Sequence, residues 1–330
     1  MENKISFEKN SWGVIRLVCC VLIMFSHYCV HAFGETAIHP YKPFLFSGSS
    51  LVVFFFLSGF LIGPSVLRNT WRDYILKRVI RLYPVYVVTL IATLIVADIA
   101  GADFGLWQKI KWFVVSLFMQ GAEYGGISNG AIWAIFIQIQ VYLIAVLLYK
   151  HLHKIESVKW WSLIILFFLI CNITYLPFCD FLDYYGLHKL KIIYCKSFIP
   201  YLYIFLLGMF VYRFFYRVVP FLKKYALVLL AIHLIWHIGL IEFPHTYCYT
   251  DPISVITVSM AATGLAYRIP DLTISKDMSY DIFCWHMPVW TAVVLFSDIS
   301  GWIKISICII ITVLLSFVTN RFVEQRLFHK

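Results

Sequence analysis

Ten apolar stretches, each close to the roughly 20 residues an α-helix needs to cross bilayer hydrocarbon, occupy most of the chain. They run at about 12–31, 44–67, 82–100, 131–149, 161–177, 198–216, 225–243, 252–267, 279–297 and 301–322. Lipid offers no partner to a free backbone N–H or C=O, so such segments are expected as helices. Of the 330 residues, 62% are hydrophobic and only 13% charged, where a soluble domain carries about a quarter charged. The expected fold is therefore all-α, a polytopic membrane helix bundle of about ten transmembrane helices. The stretch "WQKIKWFVVSLFMQ", 107–120, has too short an apolar part to span and is expected as an additional interfacial or re-entrant helix. With no repeat, low-complexity tract or long linker, residues 1–330 are expected to form a single membrane domain.

The net charge of +10 would suit a nucleic-acid partner only if it formed a basic face, so its distribution decides. With ten spans and the N-terminus inside, 19 Lys and Arg fall on the cytoplasmic side, 7 fall opposite, and Arg16 lies within the first span. Cytoplasmic loops carry such an excess, which predicts both termini in the cytoplasm and membrane lipids, with no nucleic acid, as partners. Lys4 and Lys9 before an apolar run and "VHA" imitate a signal peptide. Arg16 and His27 inside that run argue instead for a retained first helix.

Nine cysteines without C-x-x-C pairs indicate neither a disulfide scaffold nor a metal centre. Cys179 and Cys195 flank a polar loop and can pair only if it faces an oxidising compartment. His233 and His237 have the i, i+4 spacing of metal ligands but no third ligand nearby, so packing is the stronger reading and no metal is expected.

The ionisable residues inside spans carry the chemistry. Arg16 and His27 are eleven positions apart, which puts them within roughly 20° of one helix face and about 16 Å apart along the axis. Such groups normally face a bundle interior or a wet cavity. The plain alternatives are an Arg16 that snorkels to the interface and a His27 hydrogen-bonded between helices. In "RDYILKRVIRLYP", 72–84, Lys77, Arg78 and Arg81 project from neighbouring faces at the membrane edge. They suit either a positive-inside anchor or a phosphate site, since Arg presents a rigid fork of donors.

The order of these features with "FFFLSGFLI", "KRVIRLYPVY", "WAIFIQIQVYLI", "SYDIFCWHMPVW" and "FVEQRLF" resembles the acyltransferase-3 family of bacterial membrane O-acyltransferases, from residue 12 to about 328. The resemblance implies transfer of an acyl group, commonly acetyl from acetyl-CoA, to a hydroxyl of an envelope glycan or its lipid-linked precursor at the bacterial inner membrane. It implies His27 as the catalytic histidine, with Arg16, Lys77, Arg78 and Arg81 on the donor. Ser58, Trp133, Gln138, Gln140, Tyr142 and His286 are the expected pocket-lining residues. Ser58 has close helix packing as its alternative, and His286, beside Pro288, has a structural role as its own. Where the family often has W-S-L-x-x-E, this chain has Trp133, Ala134, Ile135 and Gln138, an amide in place of the acid.

A CoA-like donor fits the physical reading too, with phosphates at a cationic mouth and a long arm ending in a thioester. A neutral histidine can take the proton of an attacking hydroxyl or carry the acyl group itself. A transporter or flippase for a glycan or acyl donor is the main rival, because intramembrane Arg and His also mark translocation paths. An acyltransferase using another group, such as succinyl, is the second.

Overall fold

In the computed structural model, residues 5–99, 101, 104–118, 123–124, 127–239, 248–270, 272, 274 and 277–324 are described. Of the residues in the charge count, Lys4, Lys276, Arg326 and Lys330 lie outside them, as does most of "FVEQRLF". The described residues are helical apart from turns and one two-residue antiparallel pair, Glu123–Tyr124 with Ile127–Ser128. The main helices are α1 (Trp12–Phe33), α2 (Ser47–Arg68), α3 (Trp71–Ile99), α4 (Leu106–Leu117), α5 (Ile132–Leu152), α6 (Val158–Ile173), α7 (Tyr175–Tyr184), α8 (His188–Cys195), α9 (Leu202–Arg213), α10 (Phe215–Gly239), α11 (Pro252–Arg268), α12 (Ser279–Phe296) and α13 (Gly301–Thr319).

Among the described residues, seven helical segments are long and apolar enough to cross a membrane, and α6 with α7, bent by 49° at their junction, makes an eighth if the pair is one span. The expectation of about ten is thus met for seven or eight. Helices do form at the other two expected positions, 252–267 and 279–297, but neither is a span by length and composition. The 17 residues of α11 rise about 26 Å, short of the roughly 30 Å hydrocarbon core. Asp281 and His286 lower the apolarity of α12. The short helix expected near 107–120 is α4, 12 residues long, with Trp112 and Ser116 buried on one side.

The helices sort into two compact units, each drawn from three stretches of chain: residues 1–19, 46–74 and 137–275, and residues 20–45, 75–136 and 276–330. In the first unit, α2 and α9 pack backbone to backbone. A Cβ built on Gly59 would stand 2.0 Å from the Phe205 carbonyl oxygen, and one on Gly208 would stand 2.1 Å from that of Phe56. Small residues at such crossings let helices approach where lipid supplies no hydrophobic drive. Around this seam Phe55 stacks on Phe205, and Phe7 contacts Phe60, Tyr212 and Phe215. The buried His233 bonds Ser49 at 3.0 Å and Thr257 at 3.2 Å, consistent with its reading as a packing residue. Cys179 and Cys195, on the short helices α7 and α8, bring their sulfurs to 3.0 Å.

In the second unit, tyrosine hydroxyls join helices. Tyr83 and Tyr86 of α3 donate to the carbonyls of Leu117 and Ser116 at the end of α4, at 2.9 and 2.7 Å. Carbonyls in the last turn of a helix lack the usual i+4 donor, and that of Ser116 also accepts from the Phe118 N–H. Tyr280 of α12 donates to the Leu82 carbonyl of α3 at 3.0 Å. The buried Asp281 accepts from Thr319 at 2.7 Å and from Asn320. That pairing meets the requirement that a buried carboxyl be hydrogen-bonded.

Candidate active site

The second unit brings two histidines together. On α1, His27 is followed by the fully buried Tyr28, and on α12 the equally buried His286 lies two residues before Pro288. His27 Nδ1 stands 2.9 Å from His286 Nε2, with ring centroids 5.1 Å apart and planes at 30°. The other nitrogen of His286, Nδ1, reaches the Phe283 carbonyl one turn back at 2.7 Å. His27 is only partly buried. One histidine is thus sealed in protein, while its partner is only partly buried.

Tyr28 locks this pair in place. Its hydroxyl donates to the His286 carbonyl at 3.0 Å and lies 2.7 Å from Thr312 Oγ1 of α13. A carbonyl can only accept, so the phenol proton goes there and Thr312 donates to the phenol oxygen. Trp290 stacks on Tyr28 with centroids 5.4 Å apart. Tyr28→Phe leaves the His286 carbonyl and Thr312 without that partner and should cost about 1–3 kcal/mol. Thermal unfolding of the purified protein would reveal the loss, and an unchanged midpoint would count against the lock.

Of the residues expected at the site, Lys77, Arg78 and Arg81 lie in this same unit, on the early turns of α3. Lys77 is exposed, and Arg78 and Arg81 are partly buried. Arg81 immediately precedes Leu82, whose carbonyl holds Tyr280. Six residues beyond Tyr280, about 9 Å of helix rise, α12 carries His286. Trp133 also belongs to this unit and is partly buried.

The remaining candidates belong to the first unit. Arg16 is partly buried on α1. The Gln138 amide nitrogen donates to Ser58 Oγ and to the Tyr142 hydroxyl, and Tyr142 lies 3.3 Å from Ser58. Gln140 engages the backbone: its nitrogen donates to the Lys196 carbonyl at 2.7 Å and its oxygen accepts from Phe198 N–H at 3.0 Å. That role organises the turn between α8 and α9. Gln138→Glu would place a carboxylate against two hydroxyls that can both donate to it, so it should keep the fold with a stability change within about 1 kcal/mol. A misfolded variant would show that the amide donor itself is required.

Sequence reasoning missed the direct partnership of His27 with His286, and Tyr28 and Thr312 entirely. A second histidine within an apolar run was the available signal for the first. Tyr28 and Thr312 gave none, since hydroxyls in spans commonly satisfy themselves locally. Among the described residues, no group of three or more His, Cys, Asp or Glu is arranged to hold a metal ion.

Comparison with known proteins agrees with the chemistry these residues allow. An O-acetyl transferase of Shigella phage Sf6 is 24% identical over 163 residues, 44% of this chain and 47% of that protein. The alignment thus spans about half of that relative. No solved structure matches the chain. The acyltransferase domain family matches residues 9–321, through all thirteen main helices. The chain, with its several bilayer-length apolar helices, therefore belongs to the acyltransferase-3 family of multi-pass membrane acyltransferases.

Proposed function

We propose that the protein transfers an acetyl group from acetyl-CoA to a hydroxyl of an envelope polysaccharide or its lipid-linked precursor. The observation that carries this reading is the partly accessible His27, backed at 2.9 Å by the buried His286, in a chain of the acyltransferase family. The name of the phage relative supports acetyl as the group moved and oxygen as its acceptor.

A sugar hydroxyl is a weak nucleophile. His27 takes its proton as the oxygen attacks the thioester carbonyl, and the imidazolium returns that proton to sulfur as the C–S bond breaks and CoA leaves as a thiol. Arg78 and Arg81, with Lys77, bind donor phosphates through charge-assisted hydrogen bonds. Trp133 and His286, in the same unit as His27, line the path. Arg81→Ala should raise KM for acetyl-CoA about tenfold, the loss of one hydrogen bond to a charged group, with kcat little changed. An unaltered dependence on acetyl-CoA would remove Arg81 from the donor site.

The excess of Lys and Arg on alternate loops supports an inner-membrane protein with both termini cytoplasmic. Ten membrane-embedded helices remain our reading, with α11 and α12 as the two short or polar ones packed within protein. Mass spectrometry of the envelope glycan tests the function. The acetyl ester should be absent from a deletion strain, restored by the wild-type gene and not restored by His27→Ala. A glycan that is unchanged by deletion, or one carrying a succinyl group instead, would refute the acetyl assignment.

A further inference from the structure

The hydrogen bonds of the histidine pair fix where its protons lie. The Phe283 carbonyl accepts only, so the 2.7 Å contact requires a proton on His286 Nδ1. A neutral His286 then presents a lone pair at Nε2. The 2.9 Å contact between the rings needs one proton, which must come from His27 Nδ1. His27 Nε2 is left as the basic nitrogen. The alternative, a doubly protonated His286, would bury a cation at 0% exposure among ring partners that are a carbonyl and an imidazole, both uncharged. An unpaired buried charge is far costlier than the neutral arrangement.

From this geometry we propose that His286 is the positioning residue of the transfer site. It holds His27 in one tautomer and makes Nε2 the reacting nitrogen. The inference rests on the acyl-transfer reading above and adds to it the identity of the group that orients the base. In histidine-based acyl transfer that role is commonly filled by a carboxylate hydrogen-bonded to Nδ1–H, and here a neutral imidazole fills it. As His27 Nε2 takes the hydroxyl proton, the Nδ1–H bond to His286 becomes charge-assisted and strengthens. It relaxes when the proton passes to the departing sulfur, and His286 ends in its starting state. An amide at position 138 then leaves the orientation of the base intact, because that orientation comes from α12.

The test uses full-length protein in proteoliposomes, with acetyl-CoA as donor and the glycan lipid extracted from the producing cells as acceptor. His286→Leu fills the space but cannot accept from His27. It should lower kcat about 100-fold while KM for acetyl-CoA stays within about twofold. His286→Gln, whose amide oxygen can accept the Nδ1 proton, should regain at least about tenfold of that loss. If the Leu variant fails to fold, His286→Asn, whose side chain stops short of His27, replaces it with the same expected fall. A His286→Leu enzyme with full kcat beside an inactive His27→Ala would overturn the positioning role and leave the acyl-transfer reading standing. Leu and Gln variants equally impaired in kcat would also overturn it, by showing that acceptance of the proton is irrelevant. Full activity in His27→Ala would remove His27 as the base and the positioning role with it, whereas wild-type vesicles that transfer no acetyl would sink the acyl-transfer reading itself.

Discussion

His27→Ala is expected to lower acetyl transfer about 10³-fold while the protein remains folded and monodisperse. The size follows from what the ring supplies: a positioned general base contributes roughly 10²–10⁴-fold, and alanine leaves no group able to take the hydroxyl proton. The fold should survive because His27 is only partly buried, while the part of α1 in the second unit stays fastened there through Tyr28 and through Cys20, whose sulfur contacts the Ser279 carbonyl at 2.9 Å. KM for acetyl-CoA should change little, since the contacts proposed for the donor's phosphates are those of Lys77, Arg78 and Arg81, not His27. A rate close to wild type in a well-folded variant would remove His27 from the chemistry.

The largest effect on stability is expected at the crossing of α2 and α9. Gly59→Leu would drive a side chain into the Phe205 backbone, where even a Cβ would stand 2.0 Å from the carbonyl oxygen. Backbone cannot rotate aside as a side chain can, so the helices must separate and lose their close packing. Overpacking of this kind costs about 3 kcal/mol or more. Gly208→Leu should be equally damaging, because its Cβ would meet the Phe56 oxygen at 2.1 Å. Gly239→Ala is the control, as a Cβ there meets nothing within 4 Å. Thermal unfolding in detergent should show the first two misfolded or strongly destabilised and the third unchanged. Wild-type melting of Gly59→Leu would contradict the packing described for this unit.

The helical class was legible because lipid imposes a length and an apolarity that a sequence displays directly. Span number was less so. An apolar run such as 252–267 looks like a span, yet whether its 17-residue helix meets lipid or protein depends on neighbours that periodicity does not reveal. At the site, the periodicity of a single helix could relate Arg16 to His27, because both lie on α1. It could not relate His27 to His286, since 258 residues separate them and only tertiary packing brings their rings to 2.9 Å. Gln140 shows the same limit from the other side. Its neighbours on "IQIQVYL" suggested a pocket, whereas its amide serves the backbone at Lys196 and Phe198. A polar side chain in a span has to satisfy its hydrogen bonds somewhere, and sequence gives the need without the partner.

The claim on which the account turns is that this membrane domain catalyses acyl transfer at His27. Purified protein in proteoliposomes, supplied with acetyl-CoA labelled in the acetyl group and with extracted lipid-linked glycan, tests it most directly. Label should appear on the glycan as a base-labile ester in wild-type vesicles and be absent with His27→Ala. Wild-type vesicles that leave every offered glycan unlabelled, or His27→Ala vesicles that label it at the wild-type rate, would contradict the account.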